Sequence, residues 1–350
     1  MRAISAADAV SPAIQRTREF LFRPFTWGTY LKLGLVAIIT EGSGANLRSS
    51  SHNAPSSGHG PIINSPFHLH PEWIAAIVAA ALLVIVVSFV VFYLVTRLRF
   101  AFFHCLVHNT KEIRPGWYIY GDQAMRFFWL NIVVGLCYLL LVVLVSLPFI
   151  GGFLRLIRET PRGGPPNLEL LLSLVLPLIP LILLLVLLGI AADVVLRDWM
   201  LPHYALDDAT AGEAWSRVWA AIRAEKRQFV VYAVLRLILP TIAMIALFVV
   251  LIIPGLMLAG SLAAVEFGLH SAFADATGAS ALIGLLLEIF FGVLAFGFVL
   301  LASICLGGPL STGVREYALL FYGGRYQALG DILIPPFPPT LPEIGTPRFA

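Results

Sequence analysis

Apolar residues in this 350-residue chain are gathered into six stretches, and polar residues are largely confined to the gaps between them. A bilayer core about 30 Å thick is crossed by about 20 apolar residues in helical conformation. Most of the stretches reach that length, so the pattern predicts membrane-crossing helices. The six stretches cover residues 25–40, 73–98, 127–150, 168–196, 229–253 and 281–306.

The apolar stretches are continuous, and this continuity predicts helices. Residues 168–188 contain almost no polar position, whereas the strands of a membrane barrel alternate between apolar and polar residues. Within a bilayer every backbone polar group must be paired inside the protein, which leaves helices as the remaining solution. The predicted fold class is therefore all-α: a polytopic transmembrane helix bundle of about six spans, with amphipathic interfacial helices on the cytoplasmic side.

Composition excludes a water-soluble domain. Hydrophobic residues make up 59% of the chain and charged residues 12%, against about 45–50% and about 25% in an average soluble domain. The net charge of +3 gives no sign of nucleic-acid binding, and the three cysteines lie at scattered apolar positions. Such cysteines indicate neither a disulfide framework nor a thiolate metal site, so we expect no metal and no cofactor.

The basic residues fall on alternate sides of the predicted spans. Of the 23 lysines and arginines, 17 lie before the first span, after the sixth, or in the second and fourth gaps, and only four lie in the other gaps. Short loops rich in Lys and Arg stay in the cytoplasm. The sequence thus predicts a multi-pass protein of the cytoplasmic membrane with both termini cytoplasmic.

Three regions follow from this arrangement. Residues 1–24 form a cytoplasmic N-terminal amphipathic segment, residues 25–334 a single transmembrane domain, and residues 335–350 a Pro-rich cytoplasmic tail. The external loop 42–66 is rich in Ser, Gly, Asn and Pro, a composition typical of disorder. The first span is short and contains Lys32, but the charge pattern favours six crossings, because a re-entrant segment would put the N-terminal arginines outside.

A short amphipathic helix is predicted after Asp208. Thr210 and Glu213 have the spacing of a capping box. Such a helix lies in the headgroup plane with its tryptophans inward and its arginines outward. The apolar face comprises Trp215, Val218, Trp219 and Ile222; the predicted interfacial anchors are Trp117, Trp215, Trp219, Arg217 and Arg227.

The order of boundary residues suggests an internal repeat. One copy contains Arg99, His104, Trp117 and Arg126, and the other contains Arg197, His203, Trp219 and Arg227. The order agrees, but the interval between arginine and histidine is five residues in the first copy and six in the second. Two copies of a two-span unit in the same orientation would form a parallel repeat.

Charge within a span is costly, and four charged residues inside the predicted spans are therefore functional candidates. They are Lys32, Asp193, Arg236 and Glu288. Asp193 and Arg236 could line a polar cavity or ion path. The alternatives are a structural ion pair, or snorkelling of the charged ends to the interface, and the position of these residues near helix ends favours them.

Two segments carry a resemblance to a known family. They are the run Arg-Pro-Phe-Thr-Trp-Gly-Thr-Tyr-Leu-Lys-Leu at residues 23–33, and the run from Val195-Leu196-Arg197 through Trp215 and Trp219 to Arg236. This pattern resembles an uncharacterised prokaryotic multipass membrane family, itself similar to the membrane domain of some glycerophosphoryl diester phosphodiesterases. The resemblance covers residues 16 to about 331. Because no phosphodiesterase catalytic domain is present, it implies a six-span bundle without established chemistry.

Three functions remain open from sequence. No nucleophile or acid–base set converges, so the first is a non-enzymatic scaffold, assembly factor or lipid-organising module. The second is a small transporter or channel that uses Asp193 and Arg236, and the third is an intramembrane enzyme that acts on lipid. The expected partners are the lipid bilayer and either an unidentified membrane protein or a second copy of the chain; nucleic acid is not expected.

Overall fold

The computed structural model describes residues 4–42, 71–159, 168–273 and 279–334, and every regular element in these ranges is helical. The predicted loop 42–66, apart from its first residue, and the tail 335–350 lie outside the described residues. The elements in chain order are α1 (Val10–Phe22), α2 (Trp27–Gly42), α3 (Pro71–Val107), α4 (Ile113–Ile119), α5 (Gly121–Glu159), α6 (Leu168–Val194), a π-helical turn (Val195–Met200), α7 (Leu201–Leu206), α8 (Ala211–Ala224), α9 (Lys226–Phe273), α10 (Ala279–Gly323) and α11 (Gln327–Leu333).

Five helices of the described residues are long and apolar enough to cross a membrane, which confirms the all-α helical class. Each is longer than the apolar stretch that predicted it, because the helix continues past the membrane boundary into polar sequence. The five segments are Ala75–Val107, Gly121–Leu156, Leu171–Leu206, Lys226–Phe273 and Leu282–Gly323.

The first predicted span, residues 25–40, is not among these five. It forms α2, whose 16 residues extend over about 24 Å at 1.5 Å per residue, less than the thickness of a bilayer core. Its C-terminal end is polar, and Glu41 there is paired with two arginines. α2 is therefore shorter than the five long candidate spans, and its crossing of the membrane stays a prediction.

The chain divides into two compact units. The first contains α1, α2, the end of α3, almost all of α9, and α10 and α11. Its core includes four aromatic rings: Tyr232 stacks on Tyr317 and Phe321, with ring centroids 5.1 and 4.3 Å apart, and Phe229 meets Phe321 edge-on at 5.4 Å. Because these rings lie near the start of α9 and the end of α10, the core is built from only one end of those helices.

The second unit contains most of α3 together with α4 to α8. Its core is also aromatic and also lies at one end of the long helices. Phe100 contacts Tyr120 and Phe127, and Phe127 contacts Tyr204, with ring centroids between 5.3 and 6.0 Å apart. Phe100, Phe127 and Tyr204 are each at most 2% exposed.

Within the first unit, α2 runs beside α10 in the same direction. The Tyr30 hydroxyl donates to the Cys305 carbonyl at 2.6 Å, and Glu41 reaches Arg315 further along both helices. Between these contacts the backbones nearly touch, since a Cβ built on Gly308 would lie 2.7 Å from the Cα of Gly34. Only residues without side chains permit this approach.

The π-helical turn explains the irregular spacing of the predicted repeat. A π-turn holds one more residue than an α-helical turn. It occupies Val195–Met200 and so overlaps the interval from Arg197 to His203. That interval is one residue longer than its counterpart from Arg99 to His104. The extra residue is therefore taken up where the helix widens.

The Gly34–Gly308 contact gives a test of this packing. We expect Gly308→Ala to destabilise the protein by about 1–3 kcal/mol, since the added methyl group must push two backbones apart. Thermal unfolding in detergent measures the change. The matched control is Gly297→Ala on the same helix, where a Cβ meets nothing within 4 Å and alanine favours the helix; equal melting temperatures for the two variants would contradict the close contact.

Candidate functional site

A buried carboxylate at the end of α2 lies between two arginines of the first unit. Glu41 Oε2 is 3.2 Å from Nη2 of Arg236 on α9, and Glu41 Oε1 is 3.9 Å from Nε of Arg315 on α10. The side chains of Glu41, Arg236 and Arg315 are 8%, 15% and 3% exposed. This cluster ties three helices together through one acidic group.

A second buried carboxylate, Glu316, directly follows Arg315 on α10. Glu316 is fully buried, and its Oε2 is 3.1 Å from Nε of Arg16 on α1. The same guanidinium donates hydrogen bonds to the carbonyls of Leu106, Val107 and Leu333. These carbonyls belong to the last turns of α3 and α11. Carbonyls in the last turn of a helix have no N–H partner within the helix, and the negative end of the helix dipole favours a cation there.

Arg16 therefore holds three separate helices against α1. Neither carboxylate oxygen of Glu316 accepts a hydrogen bond from the described residues, so the charge of Arg16 is its main compensation. Losing one partner of a buried ion pair is far more costly than losing an exposed one. These contacts attach α1, α3 and α11 to α10. The cluster itself contains no exposed nucleophile.

The four predicted intramembrane charges have different surroundings. Arg236 pairs with Glu41, as described, while Asp193 pairs in the second unit with Arg197, one helical turn away, at 2.6 Å. Glu288 lies 3.4 Å from the ring of His270; the His270 side chain is exposed, whereas that of Glu288 is half-buried. Lys32 lies on the exposed side of α2. Asp193 and Arg236 each have a charged partner within their own unit, and their use in a polar path stays a hypothesis.

Sequence reasoning missed Glu41, Glu316 and Arg16 because all three lie outside the predicted spans. One signal was available for Glu316. The triplet Arg315-Glu316-Tyr317 has the same order of residue types as Arg197-Asp198-Trp199, and each triplet follows a long apolar run. The acidic residue is 0% exposed in both. An arginine, a buried acid and an aromatic residue thus occur in this order towards the end of two candidate spans.

The predicted amphipathic helix is α8, and its capping box is confirmed. The Glu213 carboxylate accepts a hydrogen bond from the Thr210 backbone N–H at 3.0 Å, and the Thr210 side-chain oxygen accepts one from the Glu213 backbone N–H. That backbone hydrogen bond lowers the pKa of Glu213 below its ordinary value. Ala214 and Val218 are buried against the unit.

Two of the three predicted anchor tryptophans, Trp215 and Trp219, are exposed, and Trp117 is half-buried. Trp215 and Trp219 stack on each other with centroids 5.8 Å apart and are 47% and 41% exposed. Val218, expected on the same face, instead faces the protein. Trp117 on α4 carries the Arg97 guanidinium 4.7 Å from its ring centroid, and Arg227 is exposed at the start of α9.

Two aspartates fix the start of α8. Asp207 pairs with Arg217 on α8 and lies 3.3 Å from the His203 ring on α7. Asp208, which has a left-handed backbone with φ 52°, pairs with Arg126 on α5. Arg217 thus pairs within the protein while its side chain is 47% exposed, and its role as an interfacial anchor stays a prediction.

Within the described ranges, no group of three or more His, Cys, Asp or Glu residues could hold a metal ion. The described part of the chain is that of a helical membrane protein, with five helices long and apolar enough to cross a bilayer. The chain belongs to a family of unknown function, DUF7544, whose family model matches residues 4–332. No curated protein and no solved structure matches it.

The Arg16–Glu316 pair gives a second test. We expect Arg16→Met to destabilise the protein by about 3–5 kcal/mol, since it leaves the buried Glu316 charge without compensation. Adding Glu316→Met should restore part of that loss, which a double-mutant cycle by thermal unfolding would measure. Arg18→Met, at an exposed position of the same helix, is the control. Additive losses in the double variant would show that the two residues do not interact.

The capping box gives a pH test. Because the pKa of Glu213 is lowered in the folded protein, its contribution to helix stability is complete at neutral pH and is lost as the pH falls through the folded pKa. We expect amide protection in the first turn of α8, corrected for intrinsic exchange, to decrease below about pH 4.5. Glu213→Gln should remove this dependence on pH; a decrease of equal size in that variant would assign it to another group.

Proposed function

We propose that this chain is a non-enzymatic, multi-pass protein of the cytoplasmic membrane that acts as a scaffold, assembly factor or lipid-organising module. Both termini are proposed to face the cytoplasm. In support of a shared side, Arg325 at the end of α10 donates a hydrogen bond to the Ile4 carbonyl at 3.2 Å, so the two ends of the described chain meet.

The observation that carries this proposal is the exposure of the apolar helices. In four of the five candidate spans the apolar stretch of 18 residues contains no buried residue, and in the fifth 6% of that stretch is buried. Contacts between spans are sparse and local, such as the hydrogen bond from the Tyr138 hydroxyl to the Leu185 carbonyl at 2.9 Å. Apolar surface of this extent requires lipid tails or other membrane helices to cover it.

The transporter alternative receives less support. An ion path needs charged or polar groups that converge on one cavity. Asp193 and Arg236 are instead each neutralised by a neighbour in their own unit, Arg197 and Glu41. The lipid-acting enzyme has no specific observation in its favour, and the similarity to the membrane domain of glycerophosphoryl diester phosphodiesterases brings no chemistry to this chain.

Site-specific photo-crosslinking tests the lipid-facing spans. A benzophenone amino acid replaces Phe248, which is 65% exposed in the apolar part of α9, and separately Phe229, which is 4% exposed on the same helix. Cells that express each variant are irradiated before extraction into native lipid particles. We expect the Phe248 position to capture lipid or a second polypeptide, and the Phe229 position to react within the chain.

The outcomes divide the hypotheses. Captured polypeptide identified as one recurrent protein, or lipid enriched in one class over the bulk membrane, supports the scaffold or lipid-organising role. Capture only within the chain at position 248 would contradict it, because the spans would then be covered by one another. Ion flux through vesicles reconstituted with the purified protein would favour the transporter instead.

A further inference from the structure

Helix α8 leaves an aromatic surface that the described protein does not cover. Ala214 and Val218 pack inward, whereas Trp215 and Trp219 form a parallel stack, with an interplanar angle of 12°, that is nearly half exposed. Two adjacent tryptophans that are exposed to water leave apolar area hydrated, which is unfavourable. Tryptophan is instead favoured at the headgroup level, where its ring is apolar and its N–H meets a polar partner.

The chain holds this surface at the membrane boundary. Only Glu225 separates the last residue of α8 from Lys226, the first residue of α9, and α9 is one of the five candidate spans. A helix joined to a span by one residue cannot lie far from the plane in which that span enters the bilayer. The headgroup layer that α9 enters is therefore within reach of α8.

Positive charge accompanies the tryptophans. The Arg223 guanidinium lies 5.1 Å from the ring centroid of Trp219, and Lys226 is exposed one turn further on. A guanidinium stacked on an aromatic ring keeps its N–H edge free for a planar or tetrahedral anion. Phosphate oxygens accept such hydrogen bonds in pairs.

The acidic residues of the same helix are directed elsewhere or are partly covered. Glu213 is held in the capping box at the other end of α8, and Glu225 is half-buried. A second cation–aromatic pair of the same kind occurs in this unit on α4, where Arg114 lies 5.9 Å from the ring centroid of Tyr118, itself 66% exposed. The exposed charge around the tryptophan stack is thus positive.

We propose that Trp215, Trp219, Arg223 and Lys226 form a binding surface for the phosphate headgroups of anionic lipids. The tryptophan rings enter the boundary between headgroups and acyl chains, Arg223 binds a phosphate from its position on Trp219, and Lys226 adds attraction for the net negative charge. This inference deepens the proposed lipid-organising role and rests on it, since it names the class of lipid that one helix selects.

Native mass spectrometry of the full chain in detergent tests the proposal. Phosphatidylglycerol, which is anionic, and phosphatidylcholine, which is zwitterionic, are added at equal molar excess. We expect the wild-type protein to retain phosphatidylglycerol preferentially, and Arg223→Gln/Lys226→Gln to lose about fivefold in that preference for each charge removed, the factor that corresponds to about 1 kcal/mol per basic residue at a membrane surface.

Two further variants complete the design. Arg18→Gln, an exposed arginine of α1, removes the same charge from another surface and should leave the preference unchanged. Trp215→Phe/Trp219→Phe keeps apolar residues but should weaken the preference, because the indole platform beneath Arg223 is lost. All four substituted side chains of α8 and α9 are exposed, so the variants should melt within a few degrees of the wild-type protein.

Several results would overturn the proposal. They are equal retention of the two lipids by the wild-type protein, an unchanged preference in the Arg223→Gln/Lys226→Gln variant, or capture of a polypeptide in place of lipid by a benzophenone amino acid at position 219. Failure here is distinguishable from failure of the proposed function, because the crosslinks from Phe248 report on a different surface of the protein. Unchanged Phe248 crosslinks with no anionic preference would leave the scaffold role and remove this site.

Discussion

One guanidinium satisfies the carbonyl ends of two helices and the charge of one buried carboxylate. Arg16 reaches the last carbonyls of α3 and α11 and the side chain of Glu316. Helix ends need such partners because their terminal carbonyls have none within the helix, and a carboxylate with no exposed surface needs a cation. The first unit depends on this residue, because α1, α3, α10 and α11 share no other single group among the contacts described.

The distribution of packing follows from the bilayer as a solvent. Lipid tails are as apolar as leucine, so the hydrophobic effect does not drive the apolar parts of the spans to bury one another. The driving force returns where the helices leave the hydrocarbon and polar groups meet water. Both aromatic cores lie at that end of their helices, around Tyr232 and Phe321 in one unit and around Phe100 and Phe127 in the other.

The sequence predicted what local pattern controls and failed where distant residues decide. Long apolar runs identified five helices, and the spacing of Thr210 and Glu213 identified a helix start, because each depends on neighbours in the chain. The pairing of Arg236 with Glu41 joins residues 195 positions apart, and no periodicity encodes it. The contact of Gly34 with Gly308 is likewise invisible, since helical glycines are common in membrane segments. α2 is shorter than the five long spans because Glu41 ends its apolar run.

The π-helical turn at Val195–Met200 also determines which way later residues point. Each residue of an α-helix is rotated by about 100° from the one before it. Without a widened turn, one added residue would rotate everything beyond it by that angle, and His203 and Tyr204, which are 3% and 2% exposed, would turn away from the core. By holding the extra residue, the turn keeps the angular phase of the helix on both sides. A membrane helix can in this way gain one residue while the side chains beyond the turn still contact the same neighbours.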